Sequence, residues 1–210
     1  METPVTPVTS LLERNKVWAK TLLAKEPALV QELAVTQKPK VLWIGCSDSR
    51  VCPELLTNSH LGEVFVYRNI ANVVNSQDIG TMAYLEYALM NLKVDHVVVV
   101  GHTGCGGIKG SLNVESPGEY LKPYLETIAN LYAHNESHFA DLDSEEARLR
   151  RLAELNAVRS LRTIQESSVY QRAIKVNPGI QLHAWIYDVP SLTLTPLDAK
   201  DEIYQALNIV

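Results

Sequence analysis

The chain has 210 residues, 46% hydrophobic and 20% charged, with ten glycines, ten prolines and a formal net charge of −5. That composition suits one globular domain with a peripheral arm and disfavours a disordered chain. The acidic balance argues against binding held by nucleic-acid phosphates or anionic lipid. The longest aliphatic block, four valines at 97–100, is far short of the roughly 20 apolar residues that cross a bilayer.

Ser10, followed by Glu13, forms a capping-box pattern ahead of an apolar stripe of Leu11, Val17, Trp18 and Leu22, which predicts an N-terminal helix. A turn over 37–39 leads into 41–45, a short continuous apolar run that reads as a buried strand; residues 63–68 read as a second. From Asp78 to Leu92 apolar residues lie almost all round a helix, which is expected to be buried on more than one side. Residues 96–100 form the third and strongest strand. Ser116, Pro117 and Glu119 supply an N-cap, a first-turn proline and a third-position acid for a helix whose stripe is Leu121, Tyr124, Leu125, Ile128 and Tyr132. Asp143 and Glu146 repeat the capping pattern before a long Arg-rich helix reaching about Ser167. Asn177-Pro178-Gly179 is a turn, and 180–187 with 191–194 read as a final strand pair. Strands alternating with helices predict an α/β fold: a central, mostly parallel β-sheet flanked by helices. In such sheets ligands bind beyond the carboxyl ends of the strands.

Two strand ends carry chemistry. The first predicted strand runs into Cys46-Ser47-Asp48-Ser49-Arg50, and the third runs into Gly101-His102-Thr103-Gly104-Cys105-Gly106-Gly107. Three cysteines, Cys46, Cys52 and Cys105, do not make a disulfide scaffold in a chain of this size. His102 and Cys105, two residues apart, can wrap one ion, and parallel neighbouring strands would bring Cys46 to the same edge. Two thiolates and one imidazole are ligands that Zn²⁺ prefers, and three protein ligands leave a fourth position for water or substrate, the arrangement of a catalytic zinc. Gly104, Gly106 and Gly107 are expected to let the backbone crowd the metal. The competing reading is local: a His-x-x-Cys spacing arising by chance, CSDSR as a polar turn, and Cys52 as a small buried hydrophobe.

At these residues the sequence resembles the β-class carbonic anhydrases. CSDSR at 46–50, FVYRNIAN at 65–72, EYA at 86–88 and GHTGCGGIKG at 101–110 carry the resemblance. It implies a zinc enzyme, one Zn²⁺ per chain, interconverting carbon dioxide and bicarbonate by attack of zinc-bound hydroxide. Cys46, His102 and Cys105 would be the ligands. Asp48 and Arg50 would form a dyad in which Asp48 accepts a hydrogen bond from the nucleophile. Gln37 would donate to substrate, and Phe65, Ile70 and Tyr87 would line a narrow apolar cleft that draws on both subunits of a dimer. The implied organisation is an N-terminal helical arm over 1–36, packing on a partner subunit, and a zinc-binding catalytic domain over 37–210.

The resemblance also raises a switch. In some members the residue matching Asp48 takes the open metal position in acid, and bicarbonate occupies a pocket matched here by Trp43, Arg68 and Tyr187. Two alternatives stand beside carbon dioxide hydration. One is hydrolysis of carbonyl sulfide or carbon disulfide, which share a linear electrophilic carbon. The other is a non-catalytic zinc-stabilised sensor, with Asp48 closing the site at every pH. The N-terminal stretch, with Glu2 before any basic residue, reads as carrying no secretory signal, so the expected location is cytoplasmic. The expected assembly is a homodimer or dimer of dimers, without nucleic-acid or membrane partners.

Overall fold

A computed structural model describes residues 7–112, 118–198 and 201–207. The chain divides into two compact units, Met1–Gln37 and Lys38–Val210. The first holds helices α1 (Pro7–Lys25) and α2 (Pro27–Leu33). The described part of α1 is already helical at Pro7, so Ser10 lies inside the helix and not at its cap. α1 buries none of its residues, and Leu11, Val17 and Trp18 are exposed.

The second unit contains, in chain order, β1 (Val41–Cys46), α3 (Pro53–Thr57), β2 (Val64–Asn69) and a 3-10 turn (Ile70–Asn72). Next come α4 (Ile79–Glu86), which continues as a π-helix (Tyr87–Leu92), then β3 (His96–His102), α5 (Gly106–Leu112) and α6 (Leu121–Ala133). A 3-10 turn (Glu136–Phe139), α7 (Glu145–Glu166), α8 (Ser168–Val176), β4 (Gln181–Asp188), β5 (Thr193–Leu197) and α9 (Glu202–Gln205) complete it. The five strands form one sheet in the order β2-β1-β3-β4-β5, parallel except for the antiparallel β4–β5 pair. β5 starts two residues later than expected and holds Pro196, which an edge strand tolerates.

Strands β1 and β3 are near-continuous apolar runs because both faces of the sheet are covered. On one face Leu42, Ile44, Val97, Val99 and Ile186 pack with Leu152, Leu155 and Val158 of α7. On the other, Trp43, Val51, Val98, Val100 and Tyr187 form a smaller cluster. The pairing Gly45↔Val100 in β1–β3 brings the carboxyl ends of both strands to one edge.

Several helix starts differ from expectation. Ser144, not Asp143, caps α7, its hydroxyl accepting from the Ala147 amide at 3.1 Å. The α6 helix starts at Leu121; Glu119 lies in the turn before it, and Ser116 and Pro117 lie outside the described residues. Asp78 does cap α4, accepting from the Gly80 and Thr81 amides. Among the described residues one side of α4 and its π continuation is covered, not more as expected: Thr81, Leu85, Ala88 and Leu89 are buried, whereas Ile79, Tyr84 and Tyr87 are exposed.

Candidate metal centre

Cys46 ends β1, His102 ends β3, and Cys105 sits just before α5, so three residues far apart in the chain meet at one sheet edge. All three are buried, and one ligand atom from each lies within 4.8 Å of the others. Among the described residues this is the one cluster of three or more such side chains. The sulfurs are 3.9 Å apart, too far for a disulfide. That spacing is close to the roughly 3.8 Å of two sulfurs on a tetrahedral zinc with bonds of about 2.3 Å. His102 Nδ1 faces the Thr103 carbonyl at 3.0 Å and can donate to it, while Nε2 is buried without a hydrogen-bond partner. A buried imidazole nitrogen left bare is costly unless something fills its lone pair, and a metal ion does so.

Backbone donors surround the sulfurs. The Ala71 amide donates to Cys46 Sγ at 3.3 Å, and the Gly107 and Ile108 amides favour the charged form of Cys105. Cys46 is pulled down to about 4, first by the neighbouring Cys105 thiol, then by His102 and the Asp48 and Ala71 amides, against its burial. Cys105 is pushed up by the same sharing and by burial. Each thiolate opposes ionisation of the other at this distance, and a divalent cation would offset that repulsion. Gly104 adopts φ +66°, which glycine accommodates freely, whereas a methyl on Gly106 would meet nothing within 4 Å. Gly106 is therefore not required for crowding.

Arg50 grips Asp48 with a two-pronged contact, Nε to Oδ1 at 2.9 Å and Nη2 to Oδ2 at 2.7 Å, and its own amide adds a third bond at 2.9 Å. The guanidinium holds the Asp48 carboxyl well below the usual carboxylate range. Arg50 Nη2 also donates to the Gly104 carbonyl at 3.1 Å, so it ties the two loops that carry the cysteines.

The remaining residues singled out in the sequence fall in three places. Ile70 is exposed beside the cluster, its Cγ2 against Gly107. Phe65 pairs with Leu42 in register, four residues before the Cys46↔Asn69 pair, which is about 13 Å along the strand. It stacks on Tyr84 at 5.1 Å and meets Tyr87 at 5.8 Å, so Phe65 and Tyr87 gather together but not at the Cys46 end of β2. Gln37 is exposed and closes the first unit. Trp43 and Tyr187 share the smaller apolar cluster, and Arg68 donates to the Cys46 and Asp48 carbonyls at 2.9 and 2.6 Å. The indole Nε1 of Trp43 is buried with no partner. A methyl on Gly45 would lie 2.4 Å from it, so the bare glycine makes room for the ring. The Ala71 amide and the Thr103 carbonyl were not foreseen: each acts through its backbone, for which side-chain identity gives no signal.

Residues 41–193 match the family model described as carbonic anhydrase. A carbonic anhydrase of Emericella nidulans is 35% identical over 199 residues, covering 95% of this chain and 82% of the relative. The crystal structure of a β-carbonic anhydrase of Aspergillus fumigatus is similar with a TM-score of 0.88 at 37% identity, covering 96% of both chains. A structure from Sordaria macrospora, one of two described as tetrameric β-carbonic anhydrases, gives 0.86 at 33% identity, covering 90% of this chain and 95% of that one.

Proposed function

The chain belongs to the β-class carbonic anhydrases, and from that premise we propose that it catalyses zinc-dependent, reversible hydration of carbon dioxide to bicarbonate and a proton, with Cys46, His102 and Cys105 holding one zinc per chain. The observation that carries the metal assignment is the bare, buried His102 Nε2 facing two sulfurs 3.9 Å apart. When bound, zinc supplies a Lewis acid that makes water acidic enough to serve as a nucleophile near neutral pH.

The chain's own groups do the rest. Thr103, accepting from Nδ1, fixes the tautomer that frees Nε2 as a ligand. Asp48, kept ionised and aimed by Arg50, accepts a hydrogen bond from the attacking nucleophile and orients its lone pair toward the carbon of carbon dioxide. Ile70 gives the site an apolar wall for a small apolar substrate. Gln37, Phe65 and Tyr87 complete the cleft from a second copy, since the Phe65–Tyr87 group stands some 13 Å along β2 from Asn69, the partner of Cys46. The working unit is accordingly a homodimer or a dimer of dimers. No helix among the described residues is long and apolar enough to cross a membrane. The reduced thiols that metal binding requires suit a cytoplasmic setting.

A second reading, regulation by bicarbonate at Trp43, Arg68 and Tyr187, is favoured by the unpartnered Trp43 Nε1–H, a buried donor awaiting an acceptor. Asp48 is paired with Arg50, and a carboxylate held in that pair would not be free to take a place on a bound metal.

Stopped-flow carbon dioxide hydration together with metal analysis tests the proposal. One zinc per chain, loss of activity on chelation and recovery with added zinc are expected. A zinc-loaded protein with no hydration activity at any pH overturns it in favour of the sensor reading.

A further inference from the structure

The turn after β2 is held in an unusual shape. Ala71 (φ 58°, ψ 28°) and Asn72 (φ 48°) both lie in the left-handed region, which alanine rarely adopts. Three polar side chains of α7, at spacing i, i+3, i+4 and so on one helix face, grip this turn from beneath. Asn156 Nδ2 donates to the Ala71 carbonyl at 2.8 Å. Ser160 Oγ donates to the Asn72 carbonyl at 3.1 Å and accepts from the Val74 amide at 3.2 Å. Arg159 Nη1 donates to the Val74 carbonyl at 3.2 Å, and its Nε and Nη2 reach Asn156 Oδ1 and Ser160 Oγ. All three are buried in a helix otherwise facing the apolar core. Buried polar groups persist where their hydrogen bonds are made, and here those bonds converge on one turn.

The other side of that turn meets the metal cluster. It points the Ala71 amide at Cys46 Sγ, 3.3 Å away, and sets Ile70 and the Ala71 methyl against Gly107. Resting on the metal assignment above, we propose that Asn156, Arg159 and Ser160 are positioning residues that lock the 71–74 turn so that the Ala71 amide donates to the Cys46 sulfur and sets how strongly that sulfur donates to the metal. An N–H aimed at a ligating thiolate draws charge from the sulfur and leaves the metal a stronger Lewis acid, as outer partners of metal ligands do generally. None of the three touches the reacting atoms.

The test uses the cobalt-substituted full-length protein and Asn156→Ala. Loss of the clamp moves the sulfur-to-cobalt absorption band to longer wavelength and weakens metal retention about tenfold or more. In the metal-free protein, amide hydrogen exchange over 71–74 quickens while the sheet strands stay protected. Glycine adopts the left-handed region freely, so Ala71→Gly added to Asn156→Ala brings the band back toward wild type; a mere packing role for Asn156 is not repaired this way. Ser160→Ala, which deletes one hydroxyl, gives the same readings if Asn156→Ala does not fold. A folded variant with the wild-type band or wild-type exchange overturns the proposal, as does a band shift that Ala71→Gly leaves in place. Wild-type protein that takes up no cobalt overturns the metal assignment instead, while the exchange measurement still reads the clamp.

Discussion

Gly107 and its neighbour Gly106 make a matched pair of substitutions at the start of α5. An alanine methyl at 107 would stand 2.8 Å from Ile70 Cγ2 and 2.9 Å from the Ala71 methyl, whereas one at 106 meets nothing within 4 Å. Ile70 can rotate away, but the Ala71 methyl is bonded directly to the backbone of the left-handed turn, so the turn itself must give. Overpacking of this kind costs about 1–3 kcal/mol. The opposing gain in helix propensity is at most about 1 kcal/mol, and less in a first turn. Gly107→Ala is therefore destabilising by about 1–2 kcal/mol, a fall in Tm of roughly 2–8 °C for a chain of this size. Gly106→Ala is neutral or slightly stabilising. Because the displaced turn carries the amide that donates to Cys46, zinc release to a chelator is also faster in the 107 variant alone. Thermal unfolding by circular dichroism and a colorimetric zinc-release assay read both. A Gly107→Ala protein as stable as Gly106→Ala, with equal zinc release, refutes the reasoning.

Arg50→Ala deletes the two-pronged grip on Asp48 while leaving Cys46, His102 and Cys105 in place; zinc is expected to be retained and hydration to fall by about two orders of magnitude, the usual scale for a misaimed group. Near-normal turnover contradicts the dyad. Trp43→Phe keeps aromatic packing but removes the unpartnered N–H, so inhibition of hydration by bicarbonate in mild acid weakens relative to wild type; equal inhibition removes the pocket assignment. His183 Nε2 lies 3.2 Å from His96 Nδ1, and burial, then His96, hold His183 below its ordinary 6.5. The unfolded chain binds a proton there more readily than the folded one, so stability is full above about pH 6.5 and declines as pH falls below it. His183→Gln loses less stability between pH 7.5 and 5 than wild type in urea denaturation; an identical slope counts against the assignment.

The convergence of Cys46, His102 and Cys105 was legible because chemistry-bearing residues stood at the ends of two strongly apolar strands, and parallel pairing leaves few other places for them to go. The pairing of Asp48 with Arg50 is an expectation from the family resemblance, since the residues alone read equally well as a polar turn; the two side chains do meet. What stayed hidden has physical causes. The glycine-rich segment GGIKGSL of α5 has poor helix propensity and is fixed by burial of Ile108 against the core. The cap of α7 fell one residue from its expected place because Asp143 and Ser144 compete as neighbours for one role. Ala71 in a left-handed turn leaves no trace in the sequence, since the conformation is imposed by Asn156 and Ser160, some 85 to 90 positions away. Residues 78–92 are apolar nearly all round, as expected, yet burial on more than one side does not follow: Ile79, Tyr84 and Tyr87 are exposed, because apolar periodicity reports which side chains avoid water and not what covers them.

The central claim is that Cys46, His102 and Cys105 hold one zinc that drives hydration of carbon dioxide. Zinc K-edge X-ray absorption on the active, purified protein measures it directly. Two sulfurs at about 2.3 Å with nitrogen and oxygen completing four ligands is the expected shell, reduced to one sulfur in Cys105→Ser if any metal remains. A fully active protein whose zinc shell contains no sulfur, or which contains no zinc, contradicts the account.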